Sequence, residues 1–222
     1  MFAKILNFEI NNCLYLIILS ILSYILGSFN FPIIVSKHFG KKKDIRSLGS
    51  NNAGFSNVLR SVGILPAFLV FVGDFLKGVL SVYIGNRFIN NENISLETNY
   101  SVLLMFGFFC FLGHIYPCFF KFKGGKGILT AWAINLLIDW KIFLVLISIF
   151  LIFFAIFRIV SVASVLVAAF YPSVVFIFSN IATSNKILWG PTVISFIIST
   201  ITIFKHKSNL YRLSIGKENR VK

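Results

Sequence analysis

Apolar residues in this chain gather into long, nearly uninterrupted runs, and polar residues are confined to the short breaks between them. That pattern predicts lipid-buried helices, not the alternating positions of a membrane β-barrel. Runs at Leu14–Val35, Ile64–Gly85, Tyr100–Phe119, Ile128–Ile138, Lys141–Phe157, Ile159–Ile181 and Ile187–Phe204 predict seven spans of an all-α bundle. The fourth is only 11 residues long. At helical rise it covers about 16 Å, so it crosses only if the preceding glycine-rich loop dips into the bilayer; otherwise it is re-entrant. The opening MFAKILNFEINN leads into the first run without a small-residue cleavage site and reads as part of a first span, not a signal peptide. No internal repeat or low-complexity linker interrupts the rest, so residues 1–222 are expected to form one membrane-embedded domain.

Composition strengthens this reading. The 222 residues are 57% hydrophobic and 13% charged, with a mean hydropathy of +0.87, a balance that no soluble domain of this length could solvate. Charge sets the expected orientation. With seven spans, Lys37–Arg60, Lys121–Lys126, Arg158 and Lys205–Lys222 fall on one side and hold 16 of the 21 basic residues. Lys4, Arg87, Lys141 and Lys186 fall on the other, opposed by Glu9, Glu92, Glu97 and Asp139. The positive-inside rule then puts the amino terminus outside and the carboxyl terminus in the cytoplasm. Because the net charge of +14 is confined to one membrane face and no recognition module is visible, an anionic lipid or substrate is the expected partner, not nucleic acid. Cys13, Cys110 and Cys118 lie within or at the ends of apolar runs without metal-ligand spacing, and no other ligand cluster suggests a metal or cofactor.

Three polar segments could carry chemistry. KFKGGKG, Lys121–Gly127, combines three lysines with three glycines, as a loop would that wraps an anion in backbone N–H groups and neutralises it with ammonium groups. A positive-inside anchor would explain the lysines but not the glycines. The loop lacks the Ser or Thr of a nucleotide-type phosphate loop. In SLGSNNAGFSNVLRSVG, Ser47–Gly63, the residues Ser50, Asn51, Asn52, Ser56 and Asn57 can donate to phosphate oxygens and Arg60 can grip one bidentately, although Ser and Asn also suit a plain helix cap. In KHKSNLYRLSIGKE, Lys205–Glu218, His206 and Asn209 share a face if the last helix continues, and Arg212 fits either a ligand or a lipid-headgroup contact. Asp74 and Lys77 sit inside the second run, where mutual neutralisation is the simplest account, and His114 precedes a helix-ending Pro117, in place to position the glycine loop. On these residues alone a phosphate-handling enzyme, a transporter of a phosphorylated or anionic small molecule, and a lipid-binding scaffold all remain open. A transporter would call for midplane ligands and inverted repeats, which the chain does not display.

Taken together, the three segments closely resemble the signature motifs of the bacterial PlsY family, the membrane acyl-phosphate:glycerol-3-phosphate acyltransferases. SNNAGFSNVLR matches the first with Ser50, Asn52, Gly54, Asn57 and Arg60 in register; GHIYPCFFKFKGGKGILT, Gly113–Thr130, matches the second; HKSNLYRLSIGKE matches the third with His206, Asn209, Arg212, Gly216 and Glu218 in place. GSFNFP, Gly27–Pro32, and DFLKG, Asp74–Gly78, also resemble family positions. Asn51, Ala53 and Phe55 depart from the pattern, Phe55 standing where a small residue is usual, and Lys207 replaces an arginine. The resemblance implies transfer of a fatty acyl group from acyl phosphate to the 1-hydroxyl of glycerol 3-phosphate, without cofactor, metal or acyl-CoA, in phospholipid synthesis at the bacterial inner membrane. It further implies supply by an acyl-phosphate-forming enzyme. By the same resemblance Ser50, Arg60, Lys126, His206 and Asn209 are the expected catalytic residues. Asn52, Gly54, Asn57, Gly124, Gly125, Gly127, Thr130 and Arg212 are expected to bind substrate, and Asp74, Lys77, His114 and Glu218 to be structural.

Overall fold

The computed structural model describes residues 2–40, 43–89, 96–182 and 189–221. Lys41, Lys42, Glu92, Lys186 and Lys222, which enter the charge comparison, and Ile187, the expected start of the last run, lie outside the described residues. Those residues form ten α-helices and two 3-10 turns: α1 Phe2–Ser28, α2 Phe31–Phe39, α3 Phe55–Ser61, α4 Ile64–Ile89, α5 Leu96–Ile115, α6 Ile128–Ile138, α7 Trp140–Phe157, α8 Val160–Ala182, α9 Trp189–Lys205 and α10 Lys207–Ser214. Five stretches, Cys13–Phe39, Ile64–Arg87, Asn99–Phe120, Trp140–Phe157 and Val160–Ala182, are long and apolar enough to cross a membrane; Ile128–Ile138 and Trp189–Lys205 are shorter apolar helices.

The expected first span, Leu14–Val35, is not one helix. It breaks at Phe29–Asn30, where Asn30 caps α2 by accepting the Ile33 N–H at 3.3 Å and Pro32 occupies the first turn. The break exposes carbonyls at the end of α1, and the buried ammonium of Lys77, from α4, donates to those of Gly27 and Phe29 at 3.1 and 3.2 Å. At the other end of the short helix, α6 begins at Gly127, whose φ of +78° suits glycine and where a Cβ would collide with the Phe111 ring. It stops at Asp139, which caps α7 by accepting the Lys141 N–H at 2.9 Å. α6 and α7 are therefore two helices joined at one residue, and α6 packs principally against α4.

The larger core joins α4 to α9 around Leu104, Phe111, Ile134, Ile142, Leu146 and Val175. A second core, Ile33, Ile45, Ala53, Val58, Ala67 and Val70, fixes the 44–61 segment against α2 and α4. This second core is what gives a polar loop a fixed shape, because apolar residues alternate through it and point inward while the amide and hydroxyl side chains are left to organise the turns between them.

Candidate active site

The first segment is built around Asn57. Its amide nitrogen donates to the carbonyls of Ile45, Leu48 and Asn52 at 3.2, 2.9 and 3.0 Å, and its oxygen accepts the Ser50 N–H at 3.0 Å. Asn57, expected to bind substrate, is buried with both ends of its amide engaged; it borders the cavity and shapes the loop that presents Ser50. Gly49 and Asn51 complete the turn at φ of +52° and +57°. Arg46, paired with Asp44 at 2.7 Å, donates to the Phe120 and Lys123 carbonyls at 2.9 and 3.0 Å, and so ties this loop to the glycine loop.

The glycine loop folds back on the end of α5. The N–H groups of Gly124 and Gly125 donate to the carbonyls of Ile115 and His114 at 3.1 and 3.2 Å. A Cβ on Gly124 would strike the His114 carbonyl, and one on Gly125 the Ala53 carbonyl and the His114 ring. These two glycines therefore do not offer their N–H groups to an anion; they let the loop lie flat against the helix end and so aim Lys126. Thr130, expected to bind substrate, is fully buried and donates to the Asp74 carbonyl at 3.3 Å, joining α6 to α4.

In the third segment α9 does not continue through His206. The chain turns there and α10 restarts at Lys207, yet the side chains still converge. Lys126 Nζ donates to Asn209 Oδ1. Asn209 Nδ2 donates to Glu218 Oε1 at 2.6 Å, Ser161 Oγ donates to the same oxygen at 2.8 Å, and Arg212 Nε meets Oε2 at 2.8 Å. Gly216, at φ +68°, makes the turn that returns Glu218 to α10, and the Val221 N–H bonds the Arg158 carbonyl at 2.8 Å, pinning the tail across the α7–α8 junction. Arg212, expected to bind substrate, is instead engaged by Glu218 and forms no part of the cavity wall.

That cavity, of about 440 Å³, has a wall of mixed character. Ser50, Asn52, Arg60, Lys126, His206 and Asn209 are among its polar and cationic members. Phe55, Phe71, Trp132, Phe150 and Phe154 are its aromatic members, with Trp132 edge-on to Phe150 at 5.1 Å. Burial pushes the Lys126 ammonium down to about 8, against the pull of Glu218 and with the Arg212 and Arg60 charges acting in the same direction as burial. Burial also pushes His206 down to about 4, reinforced by the Lys126 charge, so its imidazole is neutral at pH 7. Its Nδ1 lies 2.8 Å from the Thr202 carbonyl, an acceptor, so Nδ1 carries the proton and Nε2 keeps a lone pair. Glu218 is raised by burial, but hydrogen bonds from Asn209, Ser161 and Arg212 outweigh that and hold it below its usual range. A wall that combines cationic and hydroxyl groups with a set of aromatic rings suits a molecule with a phosphate head and an apolar tail.

The family model described as Glycerol-3-phosphate acyltransferase matches residues 17–216. This chain belongs to that family. A glycerol-3-phosphate acyltransferase of Coxiella burnetii is 38% identical over 206 residues, covering 93% of this chain and 98% of the relative, and one of Prochlorococcus marinus is 36% identical over 205 residues, covering 92% and 96%. The crystal structure of PlsY (YgiH), an integral membrane glycerol 3-phosphate acyltransferase, in its glycerol 3-phosphate form superposes with a TM-score of 0.79 at 32% identity, covering 94% of this chain and 96% of that one; its lysophosphatidic acid form gives 0.76. Within this acyltransferase family the fold is therefore that of an all-helical integral membrane protein.

The cavity also contains residues that sequence reasoning did not single out. Ser161 and Ser164 face it from the start of α8, and Asn219, Arg220 and Val221 from the tail. The signal for the serines was the SVAS run opening an otherwise apolar helix just after Arg158.

Proposed function

We propose that this chain transfers a fatty acyl group from acyl phosphate to the 1-hydroxyl of glycerol 3-phosphate, giving lysophosphatidate and phosphate. The observation that carries the reading is that one cavity is lined both by Lys126, Arg60 and Ser50 and by five aromatic rings. The glycerol 3-phosphate and lysophosphatidic acid forms of the PlsY relative support the acceptor and the product. The donor follows from the chemistry of the site. A mixed anhydride is already activated, so the protein has to align two phosphorylated molecules and neutralise them, which Lys126 and Arg60 do beside Ser50. His206 Nε2 accepts a hydrogen bond from the glycerol hydroxyl and orients it. With its acidity near pH 4 the imidazole is too weak a base to keep the proton. As the hydroxyl oxygen bonds to the acyl carbon and the acyl–phosphate bond breaks, the proton passes to the departing phosphate. Asn209 holds Lys126 in line and Glu218 holds Asn209. Purified protein given glycerol 3-phosphate should form lysophosphatidate from palmitoyl phosphate and not from palmitoyl-CoA; efficient use of the thioester would overturn the donor assignment.

The whole chain acts as one domain in the bacterial inner membrane, fed by an acyl-phosphate-forming enzyme, with seven crossings and the cavity's polar groups toward the cytoplasm. The one-sided distribution of basic residues supports this orientation. Reporter fusions after Asn91 and after Arg220 should fall on opposite faces of the membrane; the same face for both would rule it out.

A further inference from the structure

Phe55 opens α3 directly between Gly54 and Ser56, and all three line the cavity. It is therefore the aromatic residue that interrupts the polar segment, and the segment that presents Ser50 and Asn52 to the cavity carries its ring as well. Its ring is not loose. It packs against the second core, stands edge-on to Phe71 at 6.2 Å and 67°, and Phe71 in turn stacks on Phe75 at 5.7 Å and 17°. Trp132, Phe150 and Phe154 form a second aromatic group on the wall, with Phe150 and Phe154 stacked at 5.9 Å and 6°. The cavity thus has two internally braced aromatic groups, and Phe55 is the member of either nearest in sequence to Ser50 and Asn52.

We propose that Phe55 is a specificity-determining residue that excludes acyl groups branched next to the carbonyl. The inference rests on the acyl-phosphate reading above. For the acyl carbon to react, its phosphate must sit among the polar and cationic groups of the wall, so the first carbons of the chain pass the ring that this polar segment carries, Phe55, while the remainder lies along the other aromatic rings. A straight polymethylene chain lies flat between aromatic faces. A methyl branch at the second carbon needs width at the place where a braced ring stands, and overpacked apolar sites give way only at a cost. Discrimination by a pocket for one carbon is on the order of tenfold or more.

The test uses the full chain purified in detergent, with glycerol 3-phosphate as acceptor and palmitoyl phosphate or 2-methylpalmitoyl phosphate as donor. The quantity read is the ratio of kcat/KM for the straight donor to that for the branched one. Branching slows acyl transfer chemically in every variant alike, so the change in this ratio between variants isolates the pocket. Phe55→Ala should lower the ratio about tenfold, Phe55→Leu should lower it less, and Phe55→Trp should raise it, all with little change in the KM for glycerol 3-phosphate. Leu and Trp keep an apolar side chain against Phe71 and carry the test if the Ala variant fails to fold. A ratio that stays constant across Leu and Trp, including one where both rates fall together, overturns the proposal and leaves Phe55 a packing residue. Wild-type protein that uses neither acyl phosphate overturns the donor reading, and this inference with it.

Discussion

The Asp74–Lys77–His114 cluster and the Lys126–Asn209–Glu218 chain are both polar networks enclosed in an apolar bundle, and they differ in what they leave over. In the first, Lys77 Nζ lies 2.7 Å from Asp74 Oδ1 and 2.8 Å from His114 Nδ1, and it also takes the Gly27 and Phe29 carbonyls. Its charge is matched in place by one carboxylate, and all three residues are almost fully buried, although Asp74 and His114 border the cavity. In the second, Glu218 is paired with Arg212 and reaches Lys126 through Asn209, the exposed Arg60 has no carboxylate partner of its own among the described residues, and the cavity is lined by Lys126, Arg60 and Glu218 alike. A network closed in charge, whose members balance one another, holds chain segments together even where it borders the cavity. An open one with surplus positive charge lacks an anion, and a substrate phosphate supplies it.

The sharpest way to break this division is to remove one cation from each network. Lys126→Met should cut turnover by about 10²–10³, the scale of losing one preorganised charge contact, with the unfolding temperature nearly unchanged. Lys77→Met should do the reverse. It leaves Asp74 without its partner and the α1 carbonyls without a donor, and should lower stability by about 3–5 kcal/mol in detergent unfolding. Asp74→Leu in the same chain should recover part of that loss. If Lys77→Met instead abolished turnover in a protein that unfolded normally, the closed cluster would have to be moved into the reaction.

Acidity sharpens the comparison further, because Lys126 titrates in an accessible range while its network stays intact. An ammonium pushed down to about 8 is charged below that pH and neutral above it. Activity that needs the charge should therefore be full below about 7 and decline as pH rises through about 8, falling roughly tenfold per unit beyond. Lys126→Arg, whose guanidinium stays charged, should lose this alkaline limb even if its turnover is lower. A limb at the same pH in the arginine variant would assign the titration to another group.

Much of this was legible in the sequence where punctuation is local. Ile128–Ile138 is bounded by Gly127 and Asp139, residues that stop and cap helices wherever they stand, and the helix has those limits. Trp140–Phe157 and Val160–Ala182 fall within a residue of their hydrophobic runs for the same reason. The break at Phe29–Asn30 was not legible, because an apolar run does not reveal that Lys77, from another helix, will satisfy the carbonyls it exposes. The convergence of Ser50, Lys126, His206 and Asn209 could be expected from their places at helix ends. What each side chain faces could not. Asn57, Thr130 and Arg212 have the donor chemistry of ligands, and only tertiary partners turned them toward Leu48, Asp74 and Glu218. Ser161 reaches the site through a carboxylate 57 residues away.

The smallest expected effect concerns the cysteines, and it tests whether the open network works without a covalent intermediate. Cys13 is exposed, Cys118 half-buried, and Cys110 is buried with its sulfur 3.5 Å from the Lys77 carbonyl, so it touches the closed network and not the open one. None lines the cavity. Replacing all three with alanine should leave turnover within about twofold, since the activated donor makes an acyl-enzyme unnecessary. Loss of the Cys110 sulfur should lower stability by about 1 kcal/mol through the small void it leaves beside α4. Radiolabelled acyl phosphate should leave no label on either protein after denaturing electrophoresis. Label on the wild type that vanished from the triple variant, together with its activity, would mean that a thiol enters the reaction and that the division between the two networks is misdrawn at Cys110.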